Sequence, residues 1–220
     1  MPLQILIDNA LAKKQAERVH IGSQKYKPSN FGRCYRLQLL ARLDIPISNP
    51  PDIKALKRME QGKRTHELNQ SYLPGEMCEV RIETEDCLGF ADFEEPDKIS
   101  DIKSCDEYVI KRYWNKPIEI LLKTKFENWL QVGWYGLEKK KGFVALLPTP
   151  FGCFIKDECV IPIEAIKEDV EKEIIELKKH WEVYQKEKKL PDPIPRAFNG
   201  NDCTYCSWKI YCDNLMLQGK

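Results

Sequence analysis

Between residues 77 and 104 the chain changes its hydrophobic period. The segments "MCEVRIET", "CLGFADF" and "KISDIKS" each alternate apolar and polar residues, with short polar turns between them. Side chains two apart share one face of an extended strand, so the pattern predicts three successive strands, a meander. The segments on either side repeat at helical spacing instead, and the fold must pack helices around that meander.

Upstream, Leu3, Ile5, Leu6 and Leu11 predict a helix over 3–18. "SNFGRCYRLQLLARL" reads as a second helix with Ser29 or Asn30 as its N-cap, stopped by "ISNPPD". Asp52 to Leu73 reads as a third, open to interruption at Gly62. Downstream, one long helix is expected over Ile118–Lys140, followed by strands in "GFVALLP" and "GCFIKDECVIP". A last long helix carries the stripe Ile166, Val170, Ile174 and Leu177, and "LPDPIP" cannot continue it. The order predicts an α/β class, a mixed sheet flanked by helices, over a single domain. Its parts are a helical 1–73, a core 77–160, and a helix with a cysteine-rich tail over 161–220.

At 220 residues the chain can bury a substantial core. With 42% hydrophobic and 31% charged residues it has the composition of a soluble protein, and no run approaches a membrane span, so a cytoplasmic location is expected. A net charge of +1 lacks the basic excess of many nucleic-acid binders. The clusters "KRYWNK", "LLKTK" and "EKKKG" permit a DNA partner without arguing for one. Lys111, Arg112, Tyr113 and Trp114 could follow a single strand's backbone and stack on its bases; a surface loop with a buried tryptophan accounts for them as well.

Of the nine cysteines, Cys203, Cys206 and Cys212 crowd together in a polar, turn-rich segment. A two-residue gap lets two thiolates face one metal or cluster, and three thiolates still lack a fourth. Cys34, in "FGRCYR", is the best candidate for it, since the strand cysteines read as small buried hydrophobes. Zinc and a 4Fe–4S cluster both accept four thiolates, and ligand type does not separate them.

Within the meander, Asp101 and Lys103 are two apart on one strand and share a face, while Ile102 points the other way. Taken alone, such a pair is an ordinary solvated hairpin edge. The order along the chain is what distinguishes it: a first cysteine, then "GKRTHE", "GFAD…DIK", "QVGWY", and the C-x2-C-x5-C tail. This ordered set, spanning Cys34 to Cys212, resembles the RecB-type branch of the PD-(D/E)XK nuclease superfamily. More narrowly it is similar to the iron–sulfur exonucleases related to the CRISPR-adaptation nuclease, including their stand-alone phage and archaeal-virus relatives.

The resemblance implies a restriction-endonuclease-like core closed by an iron–sulfur clasp. It implies that His66, Asp92, Asp101 and the Ile102 carbonyl hold Mn²⁺ or Mg²⁺, and that Lys103 is the catalytic lysine. Gln131 and Tyr135 match the QxxxY motif, and Cys34, Cys203, Cys206 and Cys212 match the cluster ligands. The chemistry agrees: hard divalent cations prefer carboxylate and carbonyl oxygens, a histidine tilts the choice toward Mn²⁺, and Gln131 and Tyr135 at i, i+4 share a helix face. The implied activity is a metal-dependent deoxyribonuclease trimming single-stranded DNA or overhangs. A CRISPR integrase or a phage recombination or repair protein is the implied partner. A non-catalytic module stapled by the cysteine site is the alternative from another class.

Overall fold

The computed structural model describes residues 3–16, 24–155, 157–197 and 200–217. Its centre is one five-stranded sheet of β1 (Cys78–Glu83), β2 (Leu88–Glu94), β3 (Lys98–Cys105), β4 (Phe143–Pro150) and β5 (Cys159–Pro162), paired in that order. The predicted meander is β1 to β3. β4 lies parallel to β3 over its whole length, Lys98↔Phe143 to Cys105↔Pro150, and every other pairing is antiparallel. β5 pairs β4 only as far as Leu146, so Pro148 and Pro150 fall where β4 has no second neighbour to donate to. A parallel pair needs a crossover, and helical segments between β3 and β4 supply it.

These are α4 (Glu107–Val109), which runs directly into a π-helical turn over Ile110–Trp114, then α5 (Ile118–Thr124) and α6 (Phe126–Glu138). The single helix expected over 118–140 is therefore two. Lys125, at φ −124° and ψ 30°, breaks it, and the change of direction lets Leu121 and the Trp129–Gly136 stretch turn into one core. Every residue from Trp129 to Gly136 is buried. Glycine allows that depth: a Cβ on Gly136 would sit 2.5 Å from Val144 of the sheet, and one on Gly133 2.9 Å from Ile166 and Val170. α6 is thus clamped between the sheet and α7 (Lys167–Glu187), whose buried stripe includes Val170 and Leu177 as predicted.

Three further expectations change. The second helix, α2 (Tyr35–Arg42), starts later than predicted, with Cys34 at its N-cap. Ser29 and Asn30 lie in a 3₁₀ turn instead, and Gly32 at φ 73° stops the two from joining. α3 (Ile53–Gln70) is capped by Asp52, which accepts from the Ala55 amide at 2.7 Å, and Gly62 does not interrupt it. "GCFIKDECVIP" is extended only over β5; the described residues ahead of it form no strand and turn at Gly152, φ 70°. α1 (Leu3–Ala16) matches its prediction up to residues 17–18, which lie outside the described residues, and α8 (Lys209–Leu217) closes the tail. No helix among the described residues is long and apolar enough to cross a membrane.

Candidate functional site

β2 and β3 pair only at Glu94↔Ile99 and Phe93↔Ser100, then separate. The next free β3 amide, Ile102 N–H, donates to the carboxylate of Asp92 at 2.5 Å rather than to a β2 carbonyl. A side chain thus replaces a rung of the ladder, and the two strands open into a cleft that holds buried Asp92 and Asp101.

Lys103, on the same face of β3 as Asp101, lies between two partners. Its Nζ is 2.5 Å from Asp101 Oδ2 and donates to Gln131 Oε1 at 2.9 Å. Gln131 in turn donates through Nε2 to Asp101 Oδ1 at 2.9 Å and to the Tyr135 hydroxyl at 3.2 Å. The glutamine amide therefore reads both neighbours at once, accepting from the ammonium and donating to the carboxylate. Tyr135 packs against Gly89, where a Cβ would approach its ring to 2.7 Å. From the other side α3 brings His66, whose Nδ1 lies 3.2 Å from Asp92 Oδ1.

Electrostatics set these groups apart. Burial pushes the Asp101 carboxyl up, the Lys103 ammonium pulls it back and the Asp92 charge raises it again, with a net displacement upward. Burial pulls His66 down, but its hydrogen bond and attraction to Asp92 outweigh that and raise it. Apart from its ion pair with Lys103, the buried Asp101 Oδ2 has no hydrogen-bond donor. Two carboxylates, one of them with an under-satisfied buried oxygen, and an imidazole make a donor set suited to a hard divalent cation. Among the described residues no three His, Cys, Asp or Glu side chains are gathered around a single point; these are engaged with one another, the Ile102 amide and Lys103.

Sequence reasoning missed how α3 is held. Its buried residues are Thr65 and Asn69, not an apolar stripe. Thr65 Oγ1 accepts from Gly152 N–H, and Asn69 bonds both Ile155 N–H and the Cys153 carbonyl. These polar clamps flank His66, and a T-H-x-x-N run on a helix without an apolar face was the available signal.

The structure brings all four predicted cysteines to a second place. Cys34, Cys203, Cys206 and Cys212 line one cavity of about 80 Å³, walled by Leu37, Leu40 and Met216. Burial raises the Cys34 and Cys206 thiols. Donors nevertheless face the sulfurs: Arg36 Nη1 lies 3.7 Å from Cys212 Sγ, and Trp208 N–H donates to Cys206 Sγ at 3.4 Å. The tail is pinned by backbone bonds from Ser48 and Asn49 to the Ser207 carbonyl and by Trp208 Nε1 donating to the Ile45 carbonyl. Asp202, also missed from sequence, accepts three backbone amides, those of Cys34, Arg196 and Ala197, at 2.9, 3.0 and 2.9 Å.

No protein-family model and no curated protein matches the chain. Among solved structures it is similar in fold to SSO0001, with a TM-score of 0.56 and 16% identity over 96% of each chain. Looser similarities include an alkaline exonuclease (LHK-Exo) from Laribacter hongkongensis, at TM-score 0.41 and 12% identity over 75% of this chain and 93% of that one. Another is a phage-related exonuclease from Haemophilus somnus 129PT, at 0.39 and 12% over 78% and 98%.

Proposed function

We propose that the chain is a metal-dependent nuclease of PD-(D/E)XK type that hydrolyses DNA phosphodiester bonds, trimming single-stranded ends or overhangs, with an iron–sulfur cluster at the cysteine cavity. The observation that carries the reading is the Lys103 ammonium held between Asp101 and Gln131, in the cleft where Asp92 and His66 converge.

Asp92, Asp101, His66 and the Ile102 carbonyl would hold Mn²⁺ or Mg²⁺. When bound, such an ion neutralises phosphate charge and acidifies water. The chain's own groups do the rest. Lys103 brings its ammonium to the cleft, where it orients the attacking water and stabilises charge growing on the phosphate oxygens. Gln131 fixes that ammonium by accepting from it, and Tyr135 fixes the Gln131 amide. Burial of the pair raises the strength of each of these interactions.

The four thiols that line the cavity are a donor set that either a 4Fe–4S cluster or zinc accepts, and the preference for a cluster rests on the sequence motifs. The role is structural: the cluster would hold the tail against α2 and the segment that follows it. The finer family reading, a relative of the CRISPR-adaptation nuclease acting in the cytoplasm beside an integrase or with phage recombination or repair proteins, rests on the sequence motifs.

The test is to incubate anaerobically purified protein with end-labelled single- and double-stranded DNA and Mn²⁺, with Lys103→Ala in parallel. Degradation by the wild type alone is expected; equal degradation by both, or none by either, ends the proposal. Brown colour and visible absorption lost in Cys206→Ala would mark the cluster, and stoichiometric zinc in colourless protein would replace it.

A further inference from the structure

The catalytic strand leads straight into an unusual surface. β3 ends at Cys105, and the chain turns through Asp106 into α4 and the π-helical turn Ile110–Trp114, closed by the Asn115 amide on the Ile110 carbonyl, five residues back, at 3.1 Å. Single π turns inside helices recur at functional sites because they re-aim side chains. Here the wide turn separates aromatic residues that sequence reading grouped together. Trp114 is 4% exposed and belongs to the core, which matches the second of the two readings, a buried tryptophan under a surface segment, so it cannot stack on a ligand. Tyr108 and Tyr113 are 63% and 45% exposed.

These two tyrosines, five apart, stand on the same side and share one cation. Arg112 donates to the Tyr108 hydroxyl at 2.6 Å, and its guanidinium lies 5.8 Å from the Tyr108 ring centre and 5.2 Å from that of Tyr113. Lys125 Nζ continues the row, 5.8 Å from Tyr113 and 5.2 Å from Trp114. The row therefore alternates ring and cation: Tyr108, Arg112, Tyr113, Lys125. Glu107 to Lys125 holds five Lys or Arg against two carboxylates, one of which, Glu107, is paired with Lys111 at 2.9 Å. In a chain of net charge +1 this is a local basic surface with exposed rings.

We infer that the Tyr108–Arg112–Tyr113–Lys125 row is a platform for single-stranded nucleic acid, on which bases stack against the tyrosines while Arg112 and Lys125 meet the phosphates. Rings interleaved with cations fit a strand whose bases are free and whose backbone is charged. A duplex keeps its bases stacked on one another and offers the rings nothing. The five residues from Lys103 to Tyr108 span at most about 18 Å, so the platform lies within a few nucleotides of the lysine. The inference rests on the nuclease reading for its direction, since it places the strand that the cleft would cut.

The experiment measures binding of a labelled oligothymidylate and of a blunt duplex by fluorescence anisotropy. It uses the full chain as Lys103→Ala in chelator, with Tyr108→Ala, Tyr113→Ala and the matching Phe variants added. The platform predicts that each Ala change weakens single-strand binding between about fivefold and a hundredfold. Phe should restore it and duplex binding should stay unchanged. Single-strand affinity that is the same in the Ala variants, or lost equally for duplex and for Phe, overturns the inference. If the wild type bound the strand through its tyrosines yet cut nothing with Mn²⁺, the nuclease reading would fall and the platform would stand. Cutting by a protein whose Ala variants bind normally gives the reverse.

Discussion

The Asp92 carboxylate accepts the Ile102 backbone amide at 2.5 Å, at the point where β2 and β3 stop pairing. One side chain therefore both opens the cleft and caps the exposed end of the ladder. Removing it as Asp92→Ala strands a buried amide, which costs about 1–3 kcal/mol. Asp92→Asn keeps an acceptor for the amide and gives up the charge and the oxygen that faces His66 Nδ1. The expectation is a clearly lowered melting temperature for Ala, near-native melting for Asn, and loss of Mn²⁺-dependent cleavage in both. Melting curves and a cleavage assay on the pair separate the two roles; an active Asn variant would remove Asp92 from the metal site.

Asp101 predicts a pH signature. Its carboxyl is pushed up to about 6, with burial as the largest cause. A carboxyl raised on folding costs stability wherever it is ionised. The cost is absent below the unfolded value near about 4, grows through the interval and is full above the folded value. Asp101→Asn should therefore melt higher than the wild type at neutral pH in chelator, and the gain should vanish as the pH falls toward 4. Mn²⁺ should raise the wild-type melting temperature and leave the variant's unchanged. A variant that melts lower at pH 7 would show that the Lys103 ion pair outweighs the burial cost.

How much of this was legible in sequence follows from the kind of force involved. The meander was readable because alternation along β1, β2 and β3 is local, and the Val170–Leu177 stripe because helical period is local too. Lys125 splitting α5 from α6 was not, because the need to turn Leu121 and Trp134 into one core arises only when the sheet is present. The residues gathered in the cleft were nameable from motif order. Their couplings were not: the Gln131 amide serving Lys103 and Asp101 together depends on how deeply α6 sinks, and Gly133 and Gly136 set that depth. Thr65 and Asn69 left only the faint signal of a polar run on a helix with no apolar face, and Asp202 left none, since their partners are backbone groups of loops that only the fold brings to them.

On the proposed reading Gln131 positions Lys103, so its loss should act through that lysine. Gln131→Leu removes the acceptor at 2.9 Å and the donor to Asp101 while keeping the volume. Lys103→Ala should cost about 10²–10³ in kcat, the scale for losing one preorganised charge-stabilising donor. Gln131→Leu should cost less, with KM little changed, and in a Lys103→Ala background it should cost almost nothing further. Additive losses in that double variant would show that Gln131 acts on its own.

Glu173 tests the frame that carries the cysteine cavity. It is buried and accepts from Gly32 N–H at 3.0 Å and Gln38 Nε2 at 2.9 Å, and it pairs with Arg196 at 2.6 Å. α7, the segment before α2 and the chain leading to the tail meet on this one carboxylate. Glu173→Ala takes the acceptor from Gly32 and Gln38 and the carboxylate from Arg196, which keeps the Arg33 carbonyl and the Tyr35 ring as partners; each buried donor left unpartnered costs about 1–3 kcal/mol. The melting temperature should fall steeply even in metal-free protein.

Asp202 predicts a subtler failure at the same cavity. Its carboxylate, 1% exposed, joins the amide of Cys34 at the start of α2 to those of Arg196 and Ala197 just ahead of Cys203. All three bonds are N–H donors to oxygen, so the site needs acceptors only. Asp202→Asn turns an NH₂ toward one of those donors, and Asp202→Ala leaves all three without a partner. Neither change removes a thiol, yet both should move Cys34 relative to Cys203 and Cys206. The expected result is a graded loss of iron and visible absorption per chain, Ala more than Asn, while Asp202→Glu retains part of both. Measuring iron content beside the melting temperature separates positioning from simple unfolding. If Asp202→Ala melts lower but loads a full complement of iron, the carboxylate supports the fold and has no part in aligning Cys34 with the tail.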